Sequence, residues 1–308
     1  MRTFMLKKTL LLVISLCFIS LLFVDVGDLI SERVIYVLWP IGHVTVFAFW
    51  AALLILYQPN IRNSSLIKQW YLLTLFCFGL GVTIELIQPL FGRSRQLDDL
   101  FMNYIGVLLS LILFTRHSVH WIVKTGYFIV LGYFLLPSIT TAYDEVKMQL
   151  EYPNLASFDN EVALTRWKAD QKLTLITPQE LPEATTNMMK ITFVKRQYSG
   201  VALRYFKRDW QQFSQLSFDL YNPYKQALPV TLIMTDKHYN KGKPNAQDRF
   251  DKILQIKPGY NHIDLPLDEV KQGVALREMD LENMAGVDFY MYKLKTPTYL
   301  YLASLYLQ

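Results

Sequence analysis

Charge is distributed unevenly along this 308-residue chain, and the break near residue 142 limits what it can fold into. Residues 1–141 hold 10 Lys/Arg and 6 Asp/Glu, whereas 142–308 hold 21 and 20. A single water-soluble domain would not leave so long a stretch poor in ions, and a chain that is membrane throughout would not carry the second half. The net charge of +5 divides into +4 and +1, so neither part is a polybasic nucleic-acid arm. The pattern predicts a multidomain membrane protein: an α-helical transmembrane bundle over 1–141, a connector over 142–157 and an exported all-β sandwich over 158–308.

A spanning helix needs about 20 mainly apolar residues. Five segments qualify: 9–24, 34–57, 69–91, 99–115 and 120–140. The first follows a basic start (Arg2, Lys7, Lys8) but ends in Phe23-Val24-Asp25-Val26, without the small residues of a cleavage site. It reads as an uncleaved helix. Arg62, Lys68, Arg116 and Lys124 lie in the loops on the same side as the N-terminus. Arg33, Arg93 and Arg95, on the other side, are balanced by Asp25, Asp28, Glu32, Asp98 and Asp99. Basic residues mark cytoplasmic loops, so the expectation is a cytoplasmic (inner) membrane protein with its N-terminus inside and everything after residue 141 outside. The two cysteines, Cys17 and Cys77, sit in apolar runs, and the second half has none, so no disulfide framework is available to it.

Ionisable groups inside a membrane are costly and mark a functional hypothesis. Here they are grouped. His43 lies ten residues into the second segment, about 15 Å along the helix. Glu85 and Gln88 share one face near the end of the third. Asp99, Asn103 and Gly106 form one stripe on the fourth. Arg93 and Arg95 lie in the loop between. The group reads either as a polar clasp that fixes helix packing or as an outward-facing pocket for a polar or anionic lipid headgroup. Binding ranks above catalysis, because no nucleophile–base or metal motif is visible. The run Glu85-Leu-Ile-Gln88-Pro-Leu-Phe-Gly-Arg93, then Asp99-Leu-Phe-Met-Asn103-Tyr-Ile-Gly106, with Gly42-His43 upstream, resembles the signature of the VanZ-like family over about residues 30–115. That resemblance implies a small bacterial integral membrane protein without an assigned enzymatic activity. Its founding member is associated with teicoplanin resistance, so an effect on glycopeptide susceptibility is implied as well.

Beyond the connector the pattern changes to short alternating strands: Met189–Lys195, Gly200–Phe206, Leu216–Tyr221, Pro229–Thr235, Asp251–Ile256, Asn261–Pro266, Gly286–Tyr292 and Thr298–Leu307. About eight strands with Pro/Gly/Asn turns point to a sandwich or jelly roll. Tyr198–Phe206, Asp209-Trp210, Leu216–Pro223, Asp236–Asn240, Asp248-Arg249-Phe250 and Pro258–Asn261 together resemble the carbohydrate-binding jelly rolls found beside bacterial glycosidases. Sugars stack on aromatic rings and hydrogen-bond to planar polar groups. Asp236, His238, Tyr239, Asn240, Asp248 and Arg249 fall on one expected loop and are the glycan-binding candidates. The alternative is a loop held by an Asp–Arg pair. In that resemblance Ala303 stands where relatives carry an Asp that helps hold calcium. No metal or cofactor is expected.

Three functions compete. The first is a non-enzymatic envelope protein whose partners are the bilayer and a surface, cell-wall or lipid-linked glycan. The second is an intramembrane enzyme on a polyprenyl-linked or phospholipid substrate, using His43, Glu85, Arg93 and Asp99. The third, a transporter, ranks last because no internal repeat is evident.

Overall fold

The computed structural model describes residues 32–91, 95–181, 183–241 and 245–308, together with 11, 13–18 and 20. The chain divides into two compact units, Met1–Ala142 and Tyr143–Gln308.

The first unit is helical. Its elements are α1 (Glu32–Tyr57), a single turn at Pro59–Arg62, α2 (Leu66–Ile87), α3 (Leu97–Phe114) and α4 (Trp121–Glu151). Ser65 caps α2 by accepting from the Lys68 amide. Pro89 lies in the 3₁₀ turn Gln88–Phe91 that ends it. Asp98 and Asp99 occupy the first turn of α3, where negative charge meets the positive end of the helix dipole. The four helices are long and apolar enough to cross a membrane. Five such segments are expected from the sequence. Half of the first, 9–24, falls outside the described residues, and the other four correspond to α1–α4.

The helices meet through small residues. A Cβ at Gly106 would come within 2.3 Å of the Val44 carbonyl oxygen, so α1 and α3 approach as closely as two backbones can. Ser110 Oγ donates to the Ala48 carbonyl one turn further on. Phe47, Trp50, Ala51 and Ile55 of α1 pack there against Leu73, Cys77 and Ile84 of α2 and Val107 and Leu111 of α3. Tyr127 of α4 donates to the Ile105 carbonyl at 2.8 Å.

The second unit begins inside α4. Residues 142–151, expected as connector, continue that helix, and β1 follows at Asn154–Ala156. The reason lies in the contacts. Asp144 is buried and accepts from Arg166 Nε at 2.9 Å and Nη2 at 2.8 Å, so the end of the helix belongs to the packed unit.

Two antiparallel sheets form a sandwich. The first has the order β3 (Thr174–Ile176), β4 (Met188–Phe193), β11 (Thr298–Leu307), β6 (Gln215–Asn222), β9 (Gly259–Pro266), with β1 added beside β11. The second has the order β2 (Trp167–Ala169), β5 (Tyr198–Leu203), β10 (Met284–Tyr292), β7 (Leu228–Asp236), β8 (Phe250–Ile256). All eight expected strands are present. The three not foreseen, β1–β3, are three residues each, too short to display a period of two. The core interleaves alternate residues of both sheets: Phe218, Leu220, Leu300, Leu302 and Leu305 from one, Val201, Leu203, Leu232, Val287 and Phe289 from the other. Trp210 and Trp167 both join this core. Gly259, at φ 82, opens β9 in a conformation that side chains disfavour.

Candidate functional site

Alternation along β5 and β10 sends Val201, Leu203, Val287, Phe289 and Met291 inward, and leaves Tyr198, Gly200, Ala202, Asp288, Tyr290 and Tyr292 on the outer face. The register pairs Tyr198 with Tyr292, Gly200 with Tyr290 and Ala202 with Asp288. A cleft of about 560 Å³ opens on this face, lined by these strands with Lys168, Asp170, Ile233 and Arg249. Its floor depends on small residues. A Cβ at Gly200 would lie 2.3 Å from the Phe289 carbonyl oxygen and 2.5 Å from Tyr290 Cβ. Asp170 Oδ2 accepts from the Gly200 amide at 3.2 Å and so holds the loop after β2 over one end.

Tyr198 and Tyr290 line the cleft, and Tyr292 lies beside Tyr198. Tyr198 and Tyr292 have ring centroids 5.0 Å apart, Tyr198 and Tyr290 5.9 Å. Tyr198 is 57% and Tyr292 47% exposed, enough to offer a ring face to a ligand. Asp288, also in the lining, forms a two-point pair with Arg204, Nη1–Oδ1 2.5 Å and Nη2–Oδ2 2.8 Å. Gly286 makes room for it: a Cβ there would fall 1.8 Å from Arg204 Nη1. Burial pushes the Asp288 carboxyl above its usual range, against the opposing pull of the Arg204 guanidinium. Arg249 Nε lies 4.0 Å from Asp251 Oδ1. The cleft therefore combines aromatic faces with fixed planar hydrogen-bonding groups, the chemistry that recognises a sugar ring and its hydroxyls.

The loop residues chosen from sequence divide. Asp236 is fully buried at the end of β7 and accepts from Arg277 Nη1, from Arg277 Nη2 at 2.7 Å, and from the amides of Asp280 (2.9 Å) and Tyr239 (3.1 Å). Burial alone would raise its carboxyl. The hydrogen bonds from Arg277 and the two amides outweigh burial and hold it below the usual range. Asp248 accepts from Arg277 Nε at 2.6 Å. His238 Nε2 is 3.7 Å from Asp280 Oδ2. Asp236, Asp248 and the amide of Tyr239 thus meet in a clamp around Arg277, a residue that the sequence does not single out. Arg249 instead lines the cleft, and the Asn240 side chain lies outside the described residues.

In the helical unit, Trp39 Nε1 donates to Asp99 Oδ2 at 3.1 Å, and His43 Nε2 lies 3.3 Å from the same oxygen. His43 Nδ1 is 2.7 Å from Asn103 Oδ1. His43, Asp99 and Asn103 therefore converge between α1 and α3, all buried. Glu85, near the end of α2, accepts from the Gln96 amide at 2.8 Å, and Gln88 is buried nearby in sequence. Arg93 lies outside the described residues. Among the described residues no group of three or more His, Cys, Asp or Glu is placed to hold a metal.

No family model matches this chain, and no curated protein matches it. Solved structures resemble its second half. A family 11 carbohydrate-binding module from Clostridium thermocellum, in complex with a β-1,3-1,4-mixed-linked tetrasaccharide, is 16% identical over 50% of this chain and 93% of its own, with a TM-score of 0.39. An exo-β-agarase is 15% identical over 50% of this chain and 24% of its own, with a TM-score of 0.40. A family 30 carbohydrate-binding module of a Clostridium thermocellum cellulosomal cellulase is 12% identical over 46% of this chain and 86% of its own, with a TM-score of 0.34.

Proposed function

We propose that this chain is a non-enzymatic, membrane-anchored glycan-binding protein whose sandwich takes a sugar chain in the cleft on the outer face of β5 and β10. One observation carries the reading: Tyr198 and Tyr290 line a cleft together with Arg249 and with Asp288, whose carboxylate is fixed by Arg204. Membrane anchoring is supported by the outward faces of the helices, where Leu75, Phe78, Val82, Ile129, Leu136 and Ile139 stand exposed; so much apolar surface needs a lipid or protein cover. With basic residues kept inside, the sandwich faces outward, where surface, cell-wall or lipid-linked glycans lie. The VanZ-like signature supports a bacterial envelope setting, with glycopeptide susceptibility as a cellular readout.

The test is a glycan array probed with the full chain in detergent. Tyr198→Ala and Tyr290→Ala should each weaken binding by roughly tenfold, since one stacked ring contributes on the order of 1 kcal/mol beyond its buried area. Full binding by the double variant would refute the cleft. Retention there, with loss in Asp236→Asn or Asp248→Asn, would move the site to the Arg277 loop.

A second reading, acid–base chemistry on a lipid-linked substrate, draws on the convergence of His43 and Asp99, two titratable side chains in contact inside the helical unit. Full cellular function of His43→Ala and Glu85→Gln at normal abundance would remove it.

A further inference from the structure

A second groove, of about 520 Å³, lies on the helical unit and is lined by α2, α3, α4 and the segment that leads into α4. Its walls are apolar, with Ile67 and Trp70 on one side, Leu108 at the base and Val123 and Val130 on the other. Gly126 lines it too, and a Cβ there would meet nothing within 4 Å, so a side chain at this position has room to enter the groove. Leu66 and Ile67 begin α2, and Val119 and Val123 flank the start of α4, so one end of the groove opens where those helices start and α3 stops.

Four cations cluster in sequence around that opening: Arg62, Lys68, Arg116 and Lys124, all exposed. No carboxylate occurs in residues 33–84 or 100–143. Among the described residues none of the four makes an ion pair, and Arg116 reaches only the amide oxygen of Asn63, at 3.5 Å. Among the described residues the opening therefore carries cations with no carboxylate paired to them.

We propose that this groove holds an acyl chain of an anionic phospholipid, with the phosphate of the headgroup held by the cations at its mouth. The inference rests on the membrane reading above. Inside a bilayer an apolar groove gains little by choosing one chain over another, because lipid tails are as apolar as its walls. Selectivity must come from the headgroup, and a basic pocket between helices supplies it.

The experiment uses the full chain. It is first incorporated into phosphatidylcholine vesicles. It is then extracted in detergent and exposed to equal amounts of dioleoylphosphatidylglycerol and dioleoylphosphatidylcholine, and retained lipid is counted by native mass spectrometry. The expected result is preferential retention of phosphatidylglycerol. Lys68→Ala, Arg116→Ala and Lys124→Ala should each lower that preference by up to about fivefold. Gly126→Leu, which fills the groove but leaves the cations, should lower retention of both lipids, and its thermal unfolding checks that the bundle persists. Equal retention of the two lipids, or a triple variant with unchanged preference, would overturn the proposal. So would a dimeric mass without lipid, which would assign the groove to a second copy of the chain. Failure to enter vesicles at all would overturn the membrane reading, whereas entry without preference would overturn only the lipid site.

Discussion

A methyl group at position 286 would sit 1.8 Å from the guanidinium of Arg204, so Gly286 holds open the place of the pair formed with Asp288. In Gly286→Ala the long Arg204 side chain swings away, and Asp288 loses charge-assisted bonds of about 1.5–3 kcal/mol. Glycan affinity of the full chain should fall tenfold or more by titration calorimetry, while the melting temperature of the sandwich shifts by only a few degrees. His262 offers a pH test on the other sheet. Its Nδ1 lies 2.7 Å from Asp219 Oδ1 and its Nε2 3.2 Å from Asp264 Oδ1. The hydrogen bond with Asp219 raises its pKa above 6.5, against a smaller opposing effect of burial. Because the folded value is raised, the stabilisation is fully present below pH 6.5 and is lost as pH climbs through the folded value. An NMR titration of His262 should show a midpoint above 6.5, and Asp219→Asn should bring it down.

Helix packing makes a sharper test at the level of elements. Alanine is favoured over glycine in a helix interior by about 1 kcal/mol, so Gly→Ala should stabilise wherever space allows. At Gly79 nothing lies within 4 Å of the new methyl, and stabilisation is expected. At Gly106 the methyl meets the Val44 carbonyl of α1, and backbone cannot step aside, so Gly106→Ala should lower the melting temperature in detergent. Arg166→Met should cost roughly 3–5 kcal/mol by denaturant titration, because it leaves Asp144 buried without its guanidinium. These contacts also explain what could be read in advance. Strands of six or more residues show their alternation, and helices show their apolar length. Residues 142–151 of α4 carry Asp144, Glu145, Lys147 and Glu151, a composition that reads as a connector until Arg166 is known to cover Asp144. The cleft was illegible for another reason: Lys168, Tyr198, Arg249 and Asp288 come from four separated stretches that only the order β2-β5-β10-β7-β8 brings to one face. The clamp on Asp236 and Asp248 is not legible in the sequence, because Arg277, their partner, lies 29 residues past Asp248 on a stretch without strand or helix pattern.

For the molecule as a whole, orientation is open to a chemical label. The sandwich has no cysteine, so a Leu276→Cys variant carries one there, at a position 60% exposed. In intact cells a membrane-impermeant maleimide should label this variant and leave the parent chain unlabelled in its second half; labelling only after lysis would put the sandwich inside. The most consequential feature at this scale is α4, which runs without interruption from Trp121 to Glu151 and so passes through the boundary between Ala142 and Tyr143. A protein engineer who wished to transplant the sandwich onto another carrier could not use the charge break as a cutting point. The graft would have to carry the last turns of the helix with it, since Asp144 and Met148 lie there as part of the interior.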